Sequence, residues 1–327
     1  MIVTLTANPS LDHTITLTGP LERGAVQRTA GVLGQPGGKG INISRACRAA
    51  GVPTTAVFPA PAIDPVVRGL QEAGVPVRLA VTDTPVRTNI TLTEPDGTTT
   101  KLNSPGAALS AATLADLARG LQESLDPLGW AVLAGSLPPG ASADLYADLA
   151  ADLRRAGRRV AVDTSEAPLA ALVARMRADA ACAPTLLKPN AEELASVAGG
   201  TGEVLEADPV AAARAARTLL DLGVAEVLAT LGGHGAVYVS AETPDRAWHA
   251  LPGPTTVVST VGAGDASLFG HLLGHLRGLA PAPRLALAVA YGSAAAGLPG
   301  TTTPQPADVH PDRVRVRELA LTGKTGA

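Results

Sequence analysis

The chain has 327 residues, 46% of them hydrophobic, enough for one large α/β core or a core with a small appendage. With 17% charged residues and a net charge of −3, it has no basic field to draw nucleic acid or an anionic membrane surface. At 2% aromatic content it lacks stacking platforms for bases, and no stretch is long and apolar enough to span a bilayer. Cys47 and Cys182 are far apart and outside any CxxC pair, which disfavours a disulfide framework or a zinc site and fits a reducing cytoplasm.

Residues 2–7 form a short β-prone run that ends at Asn8-Pro9, a first strand rather than a signal peptide. From 11 to 34 the texture is β-only. Leu11, Ile15 and Leu17, then Val26 and Val32, predict two antiparallel strands separated by Gly19-Pro20 and Gly24. The loop Pro36-Gly37-Gly38-Lys39-Gly40 opens a helix with Ile41, Ile43, Ala46 and Ala50 on its apolar side. Strand 54–58, helix 64–73 and strand 75–81 follow. A second β-only insertion, 87–93 and 98–103, turns at Pro95-Asp96-Gly97. Helices at 110–124, 142–155 and 166–176 then alternate with strands at 130–134, 159–163 and 185–188. Helices at 190–198 and 208–222 lead to strand 226–230, a hairpin over 235–251, and helices at 263–278 and 283–297. Residues 304–327 predict a short helix, a last strand and a frayed tail.

Such β–α alternation predicts a mainly parallel sheet with helices on both faces and ligands at the strands' carboxyl ends. The expected division is an α/β domain of 1–9, 36–85 and 104–327, with 10–35 and 86–103 pairing into one small sheet.

The stretch Ser259-Thr260-Val261-Gly262-Ala263-Gly264-Asp265 opens the helix at 263. First-turn amides without helical partners, with the helix dipole behind them, suit a phosphate or a developing oxyanion. An acid beside them can take a proton from an attacking hydroxyl, so Gly262, Ala263, Gly264 and Asp265 together make a minimal phosphoryl-transfer kit. A tight turn with a capping acid is the plainer reading. The glycine spacing matches neither a dinucleotide fingerprint nor a Walker A loop.

Further candidates lie at other strand ends. Gly37, Gly38 and Lys39 open a helix with Asn42 one turn inside, an arrangement suited to an anion. Asp12, just past the first strand, is placed to accept bonds from sugar hydroxyls, or is a turn aspartate. Arg28 and Arg87, one in each insertion, would grip a phosphate if they converged with Lys39. Lys188-Pro189-Asn190 closes a strand. Asn190 and Glu193 either form a capping box or order water around magnesium. Thr230, Gly232 and Gly235 mark a glycine-rich strand exit suited to phosphate or ribose. His271 and His275 lack a zinc-helix glutamate and read as packing or surface residues.

The stretches TLTANPSLDHTI, PGGKGINISRA, RTNITL, KLNSPGAALS, GSLPPG, VDTS, LKPNAEEL, TLGGHGA and STVGAGDAS stand in an order that resembles the ribokinase-like (PfkB) sugar kinases across roughly the first 300 residues. Among these the pattern is most similar to kinases of fructose 1-phosphate and tagatose 6-phosphate, whose loop reads GGKG. The resemblance implies ATP- and Mg2+-dependent phosphorylation of a ketohexose phosphate. Fructose 1-phosphate is the first expectation, with tagatose 6-phosphate or fructose 6-phosphate as alternatives and a silent sugar-phosphate sensor as the non-enzyme alternative.

By the same resemblance Asp265 is the base and Gly262, Ala263 and Gly264 the anion hole. Asp12, Gly37, Gly38 and Asn42 hold the sugar, and Arg28, Lys39 and Arg87 its phosphate. Lys188, Asn190, Thr230, Gly232 and Gly235 hold ATP, and Glu193 serves the metal. The insertions correspond to the family's lid, through which a homodimer would form. The chain departs from the family at Pro59-Ala60-Pro61-Ala62-Ile63-Asp64, where a GG-x-x-G stretch is usual.

Overall fold

The computed structural model describes residues 1–321. The chain opens with β1 (Ile2–Leu5), then β2 (Ser10–Leu17), β3 (Thr29–Gly37), α1 (Lys39–Ala49), β4 (Thr54–Ala60), α2 (Pro65–Glu72) and β5 (Val77–Val81). β6 (Arg87–Thr93) and β7 (Thr99–Asn103) follow. After them come α3 (Ala111–Ser124), β8 (Trp130–Ala134), α4 (Leu145–Arg155), β9 (Arg159–Asp163), α5 (Glu166–Ala178) and β10 (Leu186–Leu187). The last third holds α6 (Ala191–Ala198), α7 (Gly202–Ala207), α8 (Pro209–Leu220), β11 (Glu226–Thr230), β12 (Ala236–Ser240), β13 (Arg246–Leu251), α9 (Ala263–Leu276), α10 (Pro281–Ala296) and β14 (Arg315–Ala320).

Ten strands make one sheet in the order β14-β13-β12-β11-β10-β9-β8-β1-β4-β5. The run from β11 to β5 is parallel, and β12, β13 and β14 extend it antiparallel at one edge. Its central strands are apolar on both faces: Val3, Leu5, Leu133, Val160 and Val162 pack towards one helical layer, and Ile2, Trp130, Val132 and Ala161 towards the other. Continuous apolar strands of this kind require cover on both sides, and the helices on each face supply it. The expected architecture, a mainly parallel sheet between helices, therefore holds.

The two β-only insertions meet in a separate four-stranded sheet, β3-β2-β6-β7. β2 pairs parallel with β6, Asp12 opposite Asn89, and antiparallel with β3, Asp12 opposite Gln35. Because side chains alternate along a strand, Ser10, Asp12 and Thr14 lie on one face with Arg87, Asn89 and Gln35.

Several elements differ from the sequence expectation. β3 starts at Thr29, so the fully exposed Val26 stays outside it, and it runs through Pro36-Gly37, which composition marks as a loop. Gly37 pairs with Ser10, and a side chain there would strike the Asp12 carboxylate at about 2.1 Å. The strand expected at 185–188 shrinks to two residues, because Pro189 cannot extend the ladder. A short helix, α7, fills the expected gap between 198 and 208, capped by Thr201. At the family's GG-x-x-G position, β4 continues through Ala60, and Asp64 caps α2 by accepting from Val66 N–H at 2.9 Å while also accepting from Val86 N–H at 2.9 Å. In the C-terminal stretch, 3₁₀ turns at Pro306–Asp308 and Pro311–Arg313 replace the expected short helix, and β14 supplies the last strand. The expected tail falls partly on 322–327, outside the described residues.

Candidate active site

The site forms where β1, β8, β9, β10 and β11 end and α1 and α9 begin. Gly262 takes the left-handed conformation (φ 79°) at the N-cap of α9, which a residue with a Cβ adopts only at a cost. No side chain caps this helix, so the amides of Gly264 and Asp265 keep the open first-turn position expected from the sequence. Asp265 is 7% exposed, and its Oδ2 accepts from Asn42 Nδ2 at 2.8 Å. Burial, then the nearby Asp163 carboxylate, pushes its pKa up to about 6, against the pull of Lys39, Asn42 and Lys188. A carboxyl poised there is ionised at neutral pH yet still basic enough to accept a proton. Asn42 Oδ1 is buried without a partner, an acceptor left for a ligand's hydroxyl.

Behind Asp265 lies an ionic cluster. Asp163, fully buried at the end of β9, meets Lys39 Nζ at 2.6 Å and Lys188 Nζ at 3.0 Å. Burial opposes its charge, but Lys188 and Lys39 more than offset that and hold the carboxyl below its usual range. Lys188 is itself buried, and a side chain on Gly264 would meet its Nζ at 3.4 Å, which sets this ammonium against the first turn of α9. Lys39 is a third exposed and lies 3.9 Å from Glu193 Oε1. Burial works to lower its pKa, and Asp163, Asp265 and Glu193 together raise it.

The three cations expected on the sugar's phosphate have different neighbours. Lys39 turns towards Asp163 and the α9 turn. Arg28 is exposed in the link before β3, where its carbonyl accepts from Thr18 Oγ1. Arg87 alone lines a cavity of about 290 Å3 together with Asn8, Pro9, Thr82, Gly106 and Ser110, and Asp265 is not part of that wall. Its Nη1 donates to Ser104 O at 2.6 Å, and its Nε is a buried donor without a protein partner. Asp12 accepts from Ser10 Oγ at 2.7 Å and Asn89 Nδ2 at 3.0 Å. Gly38 (φ 111°) has no room for a side chain, since a Cβ would lie 2.7 Å from Thr6 Cγ2.

Asn190 and Glu193 form the reciprocal capping box of α6: Asn190 Oδ1 accepts from Glu193 N–H and Glu193 Oε2 from Asn190 N–H, both at 2.8 Å. That leaves Glu193 Oε1 free of the cap. Among the described residues, no three His, Cys, Asp or Glu side chains gather to hold a metal by themselves. A single carboxylate oxygen, Glu193 Oε1, suits an ion that keeps most of its waters and takes the rest of its ligands from a nucleotide's phosphates, as magnesium does. Thr230 ends β11 and bridges to Asn190, and Gly232 and Gly235, both at positive φ, bracket the 3₁₀ turn that follows.

Asp163 is a site residue the sequence reading left without a role, although the VDTS stretch contains it. An acid closing an apolar strand resembles a turn residue until the lysines of two distant segments are seen to meet on it.

A family model for "pfkB family carbohydrate kinase" matches residues 5–308. The 1-phosphofructokinase of Rhodobacter capsulatus is 36% identical over 329 residues, covering 99% of this chain and 98% of its own. The crystal structure of phosphofructokinase-2 from Escherichia coli in complex with substrates and products superposes with a TM-score of 0.84 at 29% identity, over 94% of this chain and 96% of that one. Arabidopsis thaliana ribokinase, at 19% identity, shares the fold with a TM-score of 0.69 over 94% of this chain and 97% of its own.

Proposed function

The chain belongs to the pfkB family of carbohydrate kinases and is a sugar-phosphate kinase; from that premise we propose that it transfers the terminal phosphoryl group of ATP to fructose 1-phosphate, giving fructose 1,6-bisphosphate. The observation that carries the chemistry is the buried Asp265 carboxylate, held by Asn42 at 2.8 Å beside the uncapped first turn of α9. The substrate choice rests on similarity to 1-phosphofructokinase along nearly the whole chain.

In this reading the sugar lies between the lid row Asp12–Asn89 and the Asn42 end of α1. The free Asn42 Oδ1 accepts one hydroxyl, and Arg87 Nε faces the phosphate the sugar already carries. Asp265 takes the proton from the attacking hydroxyl. The amides of Gly264 and Asp265, with Lys188 beside them, stabilise the negative charge on the phosphoryl group in transit. Lys39 and Lys188, fixed by Asp163, supply positive charge at the nucleotide's phosphates, and Thr230, Gly232 and Gly235 line the nucleotide's side of the site. Glu193 would hold a magnesium ion, which would supply charge neutralisation at the nucleotide's phosphates.

Steady-state kinetics with fructose 1-phosphate, fructose 6-phosphate and tagatose 6-phosphate tests the substrate. The highest kcat/KM is expected for fructose 1-phosphate, and a tenfold preference for either alternative refutes that choice. The lid acts as a separate small domain over the sugar site. Its outer face, with Val32 and Leu102 60% and 54% exposed, pairs two chains in a cytoplasmic homodimer. Sedimentation at working concentration is expected to give a dimer, and a monomer rules this assembly out.

A further inference from the structure

The lid is tied to the catalytic helix by contacts that the reaction described above does not use. After α10, residues 299–302 make a tight turn. Thr302 N–H and Oγ1 both donate to Pro299 O, at 3.2 and 2.6 Å, and Gly300 has φ 59°. This turn lies against the lid. Gln35 Oε1, on β3, accepts from Thr301 N–H at 3.2 Å and Thr301 Oγ1 at 3.3 Å, while Gln35 Nε2 donates to Thr302 Oγ1 at 3.4 Å. A side chain on Gly300 would come within 3.0 Å of Gln35 Oε1 and Thr14 Oγ1, so the turn has no slack against the sheet.

Arg45 adds a second tie. It stands on α1 one turn after Asn42, and its Nη1 donates to Pro36 O at 3.2 Å and Thr301 O at 3.0 Å. It thus joins the root of the lid to the same turn.

The other side of the turn faces the anion hole. Thr301 Cα and Asn42 Nδ2 each lie 4.0 Å from where a Gly262 side chain would start. Val258 and Ser259 N–H, in the segment leading to Gly262, both donate to Ala296 O, at 2.8 and 3.1 Å. The turn therefore touches the lid through Gln35 and the N-cap of α9 through Thr301. Gln35 is also the register partner of Asp12, so a ligand seated on Asp12 borders the residue that holds the turn.

We propose that Gln35 and Arg45 are positioning residues that couple seating of the lid on the sugar phosphate to placement of the first turn of α9. Occupancy of the sugar site then strengthens nucleotide binding, and the nucleotide strengthens sugar binding by the same factor. This rests on the kinase reading, but not on which sugar is the substrate. It also places the contact that transmits lid movement in a polar latch of four side chains, Gln35, Arg45, Thr301 and Thr302.

The test is calorimetric titration of a non-hydrolysable ATP analogue, with and without whichever of the three sugar phosphates the wild type turns over fastest. The wild type is expected to bind the analogue about 5–150-fold more tightly with sugar present, the usual span of coupling between two sites. Gln35→Leu is expected to bring that ratio close to one and to lower kcat about tenfold, with the melting temperature within about 2 °C. Gln35→Glu keeps the acceptor for Thr301 and is expected to recover most of the ratio, and Arg45→Met to lose it as Gln35→Leu does. A merely structural role would move the melting temperature and both affinities together and leave the ratio alone. Equal analogue affinity with and without sugar in the wild type overturns the proposal, and so does a wild-type ratio in Gln35→Leu. A wild type that prefers fructose 6-phosphate would correct the substrate assigned above and leave the latch standing.

Discussion

Replacing Asp265 by asparagine should lower activity steeply and stabilise the fold, with both effects following one ionisation. The amide keeps the size of the carboxyl and can still accept the 2.8 Å bond from Asn42. It cannot take a proton from the sugar hydroxyl, so kcat should fall about 10²–10⁴-fold, the usual loss of a general base. Stability should move the other way. Folding raises the pKa of Asp265 from 3.8 to about 6, so the folded chain binds this proton more tightly than the unfolded chain. Between those values the folded state carries more protons, and stability falls as pH rises. Above pH 6 the buried carboxylate is ionised at a cost of roughly two pKa units, or about 3 kcal/mol. Below 3.8 both states are protonated and the cost is gone. Asp265→Asn should therefore melt roughly 5 °C above the wild type at pH 8 and converge with it near pH 4. The wild-type rate should climb through pH 6 to a plateau. Thermal melts and kcat measured across pH 4–8.5 check this. An Asn variant less stable than wild type at pH 8, or a wild-type profile with no ionisation near 6, would refute the reasoning.

Lys39→Ala should lower kcat about a hundredfold while the KM for sugar phosphate stays within about threefold, because its ammonium meets Asp163 at 2.6 Å, in the cluster proposed above to face the nucleotide. A tenfold rise in that KM at steady kcat would return Lys39 to the sugar's phosphate. Far from the site, Glu226 at the start of β11 accepts from His271 Nε2 at 3.0 Å and Arg284 Nη1 at 3.1 Å. Glu226→Ala leaves a mostly buried arginine unpaired and should cost about 3–5 kcal/mol of stability, read by denaturant unfolding, with little change in kcat at 25 °C. A loss under 1 kcal/mol would show that solvent reaches Arg284.

Much of the site was legible from local chemistry. Gly262 and Gly264 followed by an acid and a helical period specify an N-terminus whether or not anything binds there, and the tertiary structure left that turn uncapped. The capping box of Asn190 and Glu193 follows from three residues of spacing, and the small four-stranded sheet from two β-only stretches without cores of their own. Local chemistry also offered two readings for His271 and His275, packing or surface. His271 is fully buried against Glu226, and His275 stacks edge-on against Trp130.

The direction of the charges depended on the fold. Three glycines around Lys39 call for an anion, but a flexible four-carbon stem reaches either substrate's phosphate with equal ease. Asp163, 124 residues away at the end of a parallel strand, holds the ammonium at 2.6 Å, and that contact is the basis for the proposal that Lys39 serves the nucleotide. The same holds for Arg28 and Arg87, which stand in two insertions of one sheet yet come to rest in different surroundings, one in solvent and one on a cavity wall. Backbone conformation and capping depend on residues within a few positions, so the sequence by itself determined them. Which long side chain meets which charge depends on the order of strands in the sheet and the register of the small sheet, contacts between segments from about twenty to more than a hundred residues apart, and only the tertiary structure decided those.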